Sequence, residues 1–211
     1  MERDFLEEQI AYYSARAPEY QAKDPAEGPL RPAHEALMGL GPCAHVLELA
    51  CGTGVWTKEL ARIGDFVTAV DASPEMLEIN RRIVADPRVR YQQHDLFTWQ
   101  PEDQYDLVFV GFWLSHVPPD LLEPFLDRIC RAVRPRGHLI LIDQCDDLRG
   151  GPVPDREGIC ERRSVTDGRT FTIVKVYYHP GVLALRLVRA GFDARARRIG
   201  DSFFYVIGRR V

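Results

Sequence analysis

Apolar and polar positions change period along this chain. Between residues 45 and 143, short apolar runs at 45–50, 66–71, 88–93, 105–110 and 138–143 read as strands. The stretches between them at 54–63, 74–84 and 120–133 carry the spacing of amphipathic helices. Ser73-Pro74-Glu75 is a helix start, with Ser as N-cap and Pro at the first helical position. Short strands alternating with helices predict right-handed crossovers and a mainly parallel sheet with helices on both faces.

Both ends of the chain depart from this alternation. Residues 4–17 are amphipathic and predict a helix, followed by a loop punctuated by Pro18, Pro25, Gly28, Pro29 and Pro32 and by a short helical stretch at 33–39. Residues 146–158 hold three Gly and two Pro and predict a loop. Arg162 to Thr166 and Thr170 to Val176 flank Asp167-Gly168, a favoured hairpin turn. A helix at 180–190 ends at Gly191, and two strands at about 193–199 and 203–209 are close enough in sequence to pair antiparallel at the sheet edge. The expected fold is α/β: a doubly wound, mainly parallel, seven-stranded, Rossmann-like sheet with an antiparallel C-terminal strand, an N-terminal helical cap and an inserted β-hairpin. We read residues 1–211 as one domain: a cap at 1–40, a cofactor-binding core at 43–145, a loop and hairpin over the site at 146–178, and a C-terminal helix and strands at 179–211.

Composition narrows the function by exclusion. With 211 residues, 45% apolar, 27% charged and a net charge of −4, the chain has no basic stripe for nucleic acid. No apolar run approaches the ~20 residues of a membrane helix, and the N-terminus lacks the apolar core of a signal peptide. Five scattered cysteines form no C-x-x-C pair and no zinc spacing, which reads as reduced thiols in a cytoplasmic protein without a metal. The expected partner is a small molecule, with the chain as monomer or homodimer.

The candidate chemistry begins at Leu47-Glu48-Leu49-Ala50-Cys51-Gly52-Thr53-Gly54, a strand entering a glycine turn, with Asp71 ending the next strand. Bare backbone beside a nucleotide and a carboxylate at the next strand tip suit two cofactor classes, dinucleotides and S-adenosylmethionine. A dinucleotide site wants G-x-G-x-x-G, and Thr57 stands at the third glycine position. That weakens a nicotinamide-dependent NAD(P) oxidoreductase, which stays as the alternative together with a non-catalytic cofactor-binding module.

The surrounding residues resemble the class I S-adenosylmethionine-dependent methyltransferases, small-molecule branch, over residues 43–145. Glu48, Ala50, Gly52 and Gly54 match the first motif with Ala50 for its first glycine; Tyr105 to Gly111 match the fourth-strand motif; Val133 to Leu139 resemble the turn entering strand five. The resemblance implies that Glu48 and the Ala50–Gly54 backbone, Thr53 included, hold the methionine end. It places Asp71 on the ribose hydroxyls, Ala72 and Met76 beside the adenine, and Asp95 and Leu96 of His94-Asp95-Leu96 on its amine and ring. Gly111 and Phe112 border the sulfonium, and Tyr20, in a Tyr-rich cap running from Tyr12, closes over the cofactor. The implied activity is methyl transfer from S-adenosylmethionine to O or N of a small metabolite, with S-adenosylhomocysteine as product.

For the acceptor, His116 and His179 are candidate general bases, because imidazole titrates near neutrality. Packing against the sheet and a helix cap are their respective alternatives. Tyr13, Trp113, Arg162 and Arg163 are candidate substrate contacts; the arginines could fork onto an anionic group or simply display charge on an exposed hairpin. Phe112, Trp113 and Phe171 suggest an aromatic or heterocyclic acceptor.

Overall fold

A computed structural model describes residues 2–20, 24–145 and 159–211, with the backbone alone for residues 2–5. The loop expected at 146–158 lies outside the described residues. The helices are α1 (Glu2–Arg16), α2 (Arg31–Met38), α3 (Val55–Ile63), α4 (Pro74–Val84), α5 (Pro119–Ala132) and α6 (Pro180–Arg189). The strands are β1 (Cys43–Leu49), β2 (Gly64–Asp71), β3 (Val89–Gln93), β4 (Tyr105–Gly111), β5 (Val133–Gln144), β6 (Cys160–Ser164), β7 (Thr170–Val174), β8 (Phe192–Ile199) and β9 (Phe203–Arg210).

Seven strands form one sheet in the order β3-β2-β1-β4-β5-β9-β8, while β6 and β7 pair separately as the expected hairpin. Strands β1 to β5 pair in parallel; β9 runs antiparallel to both β5 and β8. The two last strands thus pair as expected, with β9 inserted between β5 and the edge. Helix α4 starts at Pro74 behind a Ser73 cap that accepts the Met76 amide at 3.1 Å.

The expected turn at Pro135-Arg136-Gly137 sits inside β5. The pairing runs Tyr105 to Val133 and resumes at Leu107 to His138, so residues 134–137 bulge out, with Arg136 at φ 65°. The proline and the positive φ make the bulge a local kink in a strand that resumes its ladder afterwards.

Side-chain alternation along β1 places the chemistry. Leu47 and Leu49 pack with Val108, Val110 and Phe125 on one face, and Val46 packs with Leu107, Phe109 and Trp56 on the other. Glu48 shares the second face and so turns toward α3. The strand order reverses between β1 and β4, which opens a crevice beyond their carboxyl ends. Leu49 pairs with Val70 and with Val110 there, bringing Ala50, Asp71 and Gly111 to one rim. Helix α1 covers that rim: Tyr12, 1% exposed, packs with Val165 and Ile173 of the hairpin region, and its ring meets Phe171 edge-on at 5.9 Å. Among the described residues, no helix is long and apolar enough to cross a membrane.

Candidate functional site

The crevice is a cavity of about 460 Å³ bounded by the turn after β1, the tips of β2 and β4, and α1. Its floor is a backbone in unusual conformations. Ala50 (φ 58°), Gly52 (φ 51°), Gly54 (φ 97°) and Phe112 (φ 56°) all lie in the left-handed region. Left-handed Ala and Phe are costly, and such positions concentrate at ligand clamps. At Gly52 an added Cβ would meet no protein atom within 4 Å, whereas at Gly54 it would lie 2.5 Å from Asn80 Oδ1. Gly52 therefore leaves a cradle free, and Gly54 admits the amide that braces the turn. Asn80 Nδ2 donates to Gly52 O at 3.2 Å and to Thr57 Oγ1 at 2.8 Å.

Two carboxylates face this cradle. Glu48, 2% exposed, accepts the Thr57 hydroxyl at 2.6 Å. Burial pushes its pKa up to about 8, against the Thr57 bond. Thr57, which stands where a dinucleotide fold wants glycine, thus orients the acid. Asp71 accepts the Gly52 amide on Oδ2 at 2.8 Å and the Ser73 amide on Oδ1 at 3.0 Å. Burial raises its pKa while those amides oppose the rise. Each carboxylate keeps lone pairs for a ligand.

Thr53, Ala72, Met76, Leu96, Gly111, Phe112, Trp113 and Tyr20 also line the cavity. Asp95 lies outside the lining; its Oδ1 accepts the Phe97 amide at 2.9 Å as a turn beside Leu96. Trp113 packs on Phe97 at 5.2 Å, and its Nε1 is buried without a hydrogen-bond partner. The cradle, the carboxylates at two of its edges and the apolar patch of Met76 and Leu96 fit S-adenosylmethionine, which needs an ammonium acceptor, a diol acceptor and a flat apolar slot.

The other end of the cavity is basic and aromatic. Tyr13 donates its hydroxyl to His116 Nε2 at 2.7 Å, and His116 Nδ1 lies 2.8 Å from Val174 O. A carbonyl only accepts, so the proton sits on Nδ1 and Nε2 is the acceptor. Burial first, and Lys175 second, push the His116 pKa down to about 3. Burial raises that of Tyr13. Gln9 locks the same place from α1, donating to His116 O at 3.2 Å and accepting the Val174 amide at 3.1 Å.

Arg16, Arg163 and Lys175 bring positive charge to the wall. Arg163 pairs with Glu161 at 2.5 Å, and Arg16 lies over the Tyr20 ring at 5.6 Å. Lys175 Nζ donates to Ser115 Oγ at 2.9 Å and has no carboxylate within ion-pair distance among the described residues. Arg162 and His179 are outside the lining: Arg162 is exposed on the hairpin, and His179 caps α6, its Nδ1 accepting the Gly181 amide at 3.2 Å. Phe171 is outside it too. Sequence reading missed Gln9, Arg16 and Lys175. Lysine is rare here, with three in the chain, and one following a strand that borders a candidate site was the available signal. Among the described residues, no group of three His, Cys, Asp or Glu could hold a metal ion.

Comparison with known proteins agrees with this geometry. A family model described as a methyltransferase domain matches residues 46–137. The structure of DhpI in complex with S-adenosylhomocysteine is 37% identical, covers 98% of this chain and 97% of that one, and superposes with a TM-score of 0.83. A second DhpI structure, with S-adenosylmethionine, is 36% identical over 97% of each chain at a TM-score of 0.81. A ubiquinone biosynthesis O-methyltransferase of Xanthomonas campestris is 33% identical over 133 residues, 55% of this chain and 53% of its own length. A demethylmenaquinone methyltransferase of Clavibacter sepedonicus is 37% identical over 103 residues, 46% of this chain and 40% of its own. The chain spans about half the length of the curated relatives it matches.

Proposed function

Because this chain belongs to the class I S-adenosylmethionine-dependent methyltransferases, we propose that it methylates an oxygen or nitrogen of a small acceptor. S-adenosylmethionine supplies an electrophilic methyl group, and S-adenosylhomocysteine is the product. Residues 1–211 act as one methyltransferase domain in this reading.

The chain's own residues divide the binding. Glu48 receives the ammonium of the methionine end, with Ala50, Gly52, Thr53 and Gly54 giving the backbone that approaches it. Asp71 accepts from the ribose hydroxyls. Ala72, Met76 and Leu96 flank the adenine; Asp95 acts beside them through its turn. Gly111 and Phe112 border the sulfonium, and Tyr20 covers it. The observation that carries this reading is the pair of carboxylates, Glu48 and Asp71, that face the cavity around the left-handed turn.

At the acceptor end, His116 serves better as a hydrogen-bond partner than as a base. Its Nε2 lone pair is taken by Tyr13, and burial holds it neutral. An acceptor whose nucleophile is already ionised needs no base. Lys175, which has no carboxylate in direct contact among the described residues, favours such an anion together with Arg163 and Arg16. We therefore assign a small acid as acceptor, with its own oxygen as nucleophile. Rings of Tyr13, Phe112 and Trp113 on the wall support an aromatic or heterocyclic body.

Calorimetry tests both levels. S-adenosylmethionine and S-adenosylhomocysteine should bind and NAD should not. With S-adenosylhomocysteine present, planar carboxylic acids should bind better than aliphatic acids, and acids better than their amides. Binding of NAD alone would overturn the family-based reading; equal affinity for acids and amides would overturn the anionic acceptor.

A further inference from the structure

Lys175 is held from behind by a buried acid. Its Nζ donates to Ser115 Oγ at 2.9 Å, and the Val176 amide donates to Ser115 O at 2.8 Å, so one residue of the turn after β4 grips the segment leaving β7. The Ser115 amide in turn donates to Asp143 Oδ2 at 2.8 Å. Asp143, in β5, is 1% exposed, and its Oδ1 accepts the Gln144 amide at 2.7 Å. Among the described residues, Asp143 has no ion pair.

The proton directions in this chain of groups follow from chemistry. An ammonium has no lone pair, so Ser115 Oγ must accept from Lys175. Its single hydroxyl proton is then free to point toward Asp143, whose Oδ2 the amide of the same residue already holds. A buried carboxylate without a cation in contact is expensive, and a buried ammonium likewise. Here each offsets the other across one shared residue, Ser115, whose hydroxyl accepts from Lys175 and whose amide donates to Asp143. Burial lowers the Lys175 pKa and Asp143 opposes the fall, while burial raises that of Asp143 and Lys175 opposes the rise. The other groups facing Lys175 are Glu161 and Arg163 from β6, His116 from the turn after β4, and the Tyr177 ring at 5.3 Å.

We propose that Asp143 is a positioning residue for acceptor recognition: by holding the Ser115 amide it fixes, through Ser115, the Lys175 ammonium at the cavity wall and balances its charge. This rests on the reading of an anionic acceptor. It adds that the acid-binding cation is set by a carboxylate that does not itself line the cavity.

The chain has three lysines, at 23, 58 and 175, so selective lysine labelling gives NMR spectra in which Lys175→Arg assigns one signal. In the complex with S-adenosylhomocysteine, Asp143→Asn is expected to lower the Lys175 titration midpoint by about one unit, the low end for loss of a nearby opposite charge. Ser115→Ala, which removes the hydroxyl that Lys175 donates to and keeps the acid, is expected to lower it by less. Affinity for S-adenosylhomocysteine should stay within about twofold in both. A midpoint unmoved in Asp143→Asn overturns the proposal; if that variant does not fold, an unmoved midpoint in Ser115→Ala overturns it. Inorganic phosphate added to the wild-type complex should shift the Lys175 signal and raise its midpoint. No response to phosphate removes the anionic-acceptor reading, whereas a phosphate response with unmoved variant midpoints removes the role of Asp143 alone.

Discussion

Tyr13 and His116, 103 positions apart, share a 2.7 Å hydrogen bond that joins helix α1 to the turn after β4 at the wall of the cavity. The Val174 carbonyl on the other ring nitrogen fixes the direction of that bond. A side chain that looks like a general base in the sequence is thereby committed on both nitrogens.

The pH dependence of His116 follows. Its folded pKa, pushed down to about 3, lies below the unfolded value near 6.5. Between these values the unfolded chain binds the extra proton, so the His116 contribution to stability is lost as pH falls below about 6.5, by at most about 1.4 kcal/mol per pH unit. Denaturant melts of wild type against His116→Gln from pH 7.5 to 4.5 should converge as pH falls. The activity ratio of the two should stay flat between pH 6 and 8. A His116-dependent limb in that window would restore it as the base.

Glu48 should report cofactor binding as proton release. With its pKa pushed up to about 8, it is mostly protonated at pH 7 without ligand. The native state then holds a proton that the unfolded state, with a pKa near 4.5, has lost. Its contribution to stability is present below about 4.5 and is lost as pH rises through about 8. An ammonium from the cofactor would reverse this by favouring the ionised acid. Titrations of S-adenosylmethionine at pH 7 in buffers of different ionisation enthalpy should show release approaching one proton, and Glu48→Gln should abolish it.

Asp71→Ala should weaken S-adenosylhomocysteine binding by about 1.5–3 kcal/mol, the scale of hydrogen bonds to a charged group. It should also lower thermal stability, because the Gly52 and Ser73 amides lose their acceptor. Wild-type affinity in a folded Asp71→Ala protein would remove Asp71 from the ribose.

Gly54→Ala should destabilise the protein by about 1–3 kcal/mol through its φ of 97° and a contact with Asn80 Oδ1 at 2.5 Å. Adding Asn80→Ala relieves the contact and leaves the backbone strain, so the double variant should recover no more than part of the loss relative to Asn80→Ala alone. Thermal melts of the four proteins measure both terms.

Much of the donor half of this protein is legible in one dimension. The apolar runs specify β1 to β5 because each buried strand makes its own period visible, and Ser73-Pro74 starts α4 by local capping chemistry. Glu48, the glycine turn and Asp71 lie within 24 residues, since a strand, a turn and the next strand tip are consecutive elements. What Thr57 does was not readable there: it took the fold to show that alternation along β1 turns Glu48 toward its hydroxyl. The acceptor half was decided by tertiary structure. Gln9, Tyr13, His116, Asp143 and Lys175 come from α1, the turn after β4, β5 and the segment after β7, and no local period links them. Whether a histidine is a base or a locked partner, and whether a lysine faces solvent or a cavity, depends on burial and on partners that only folding brings within hydrogen-bond range.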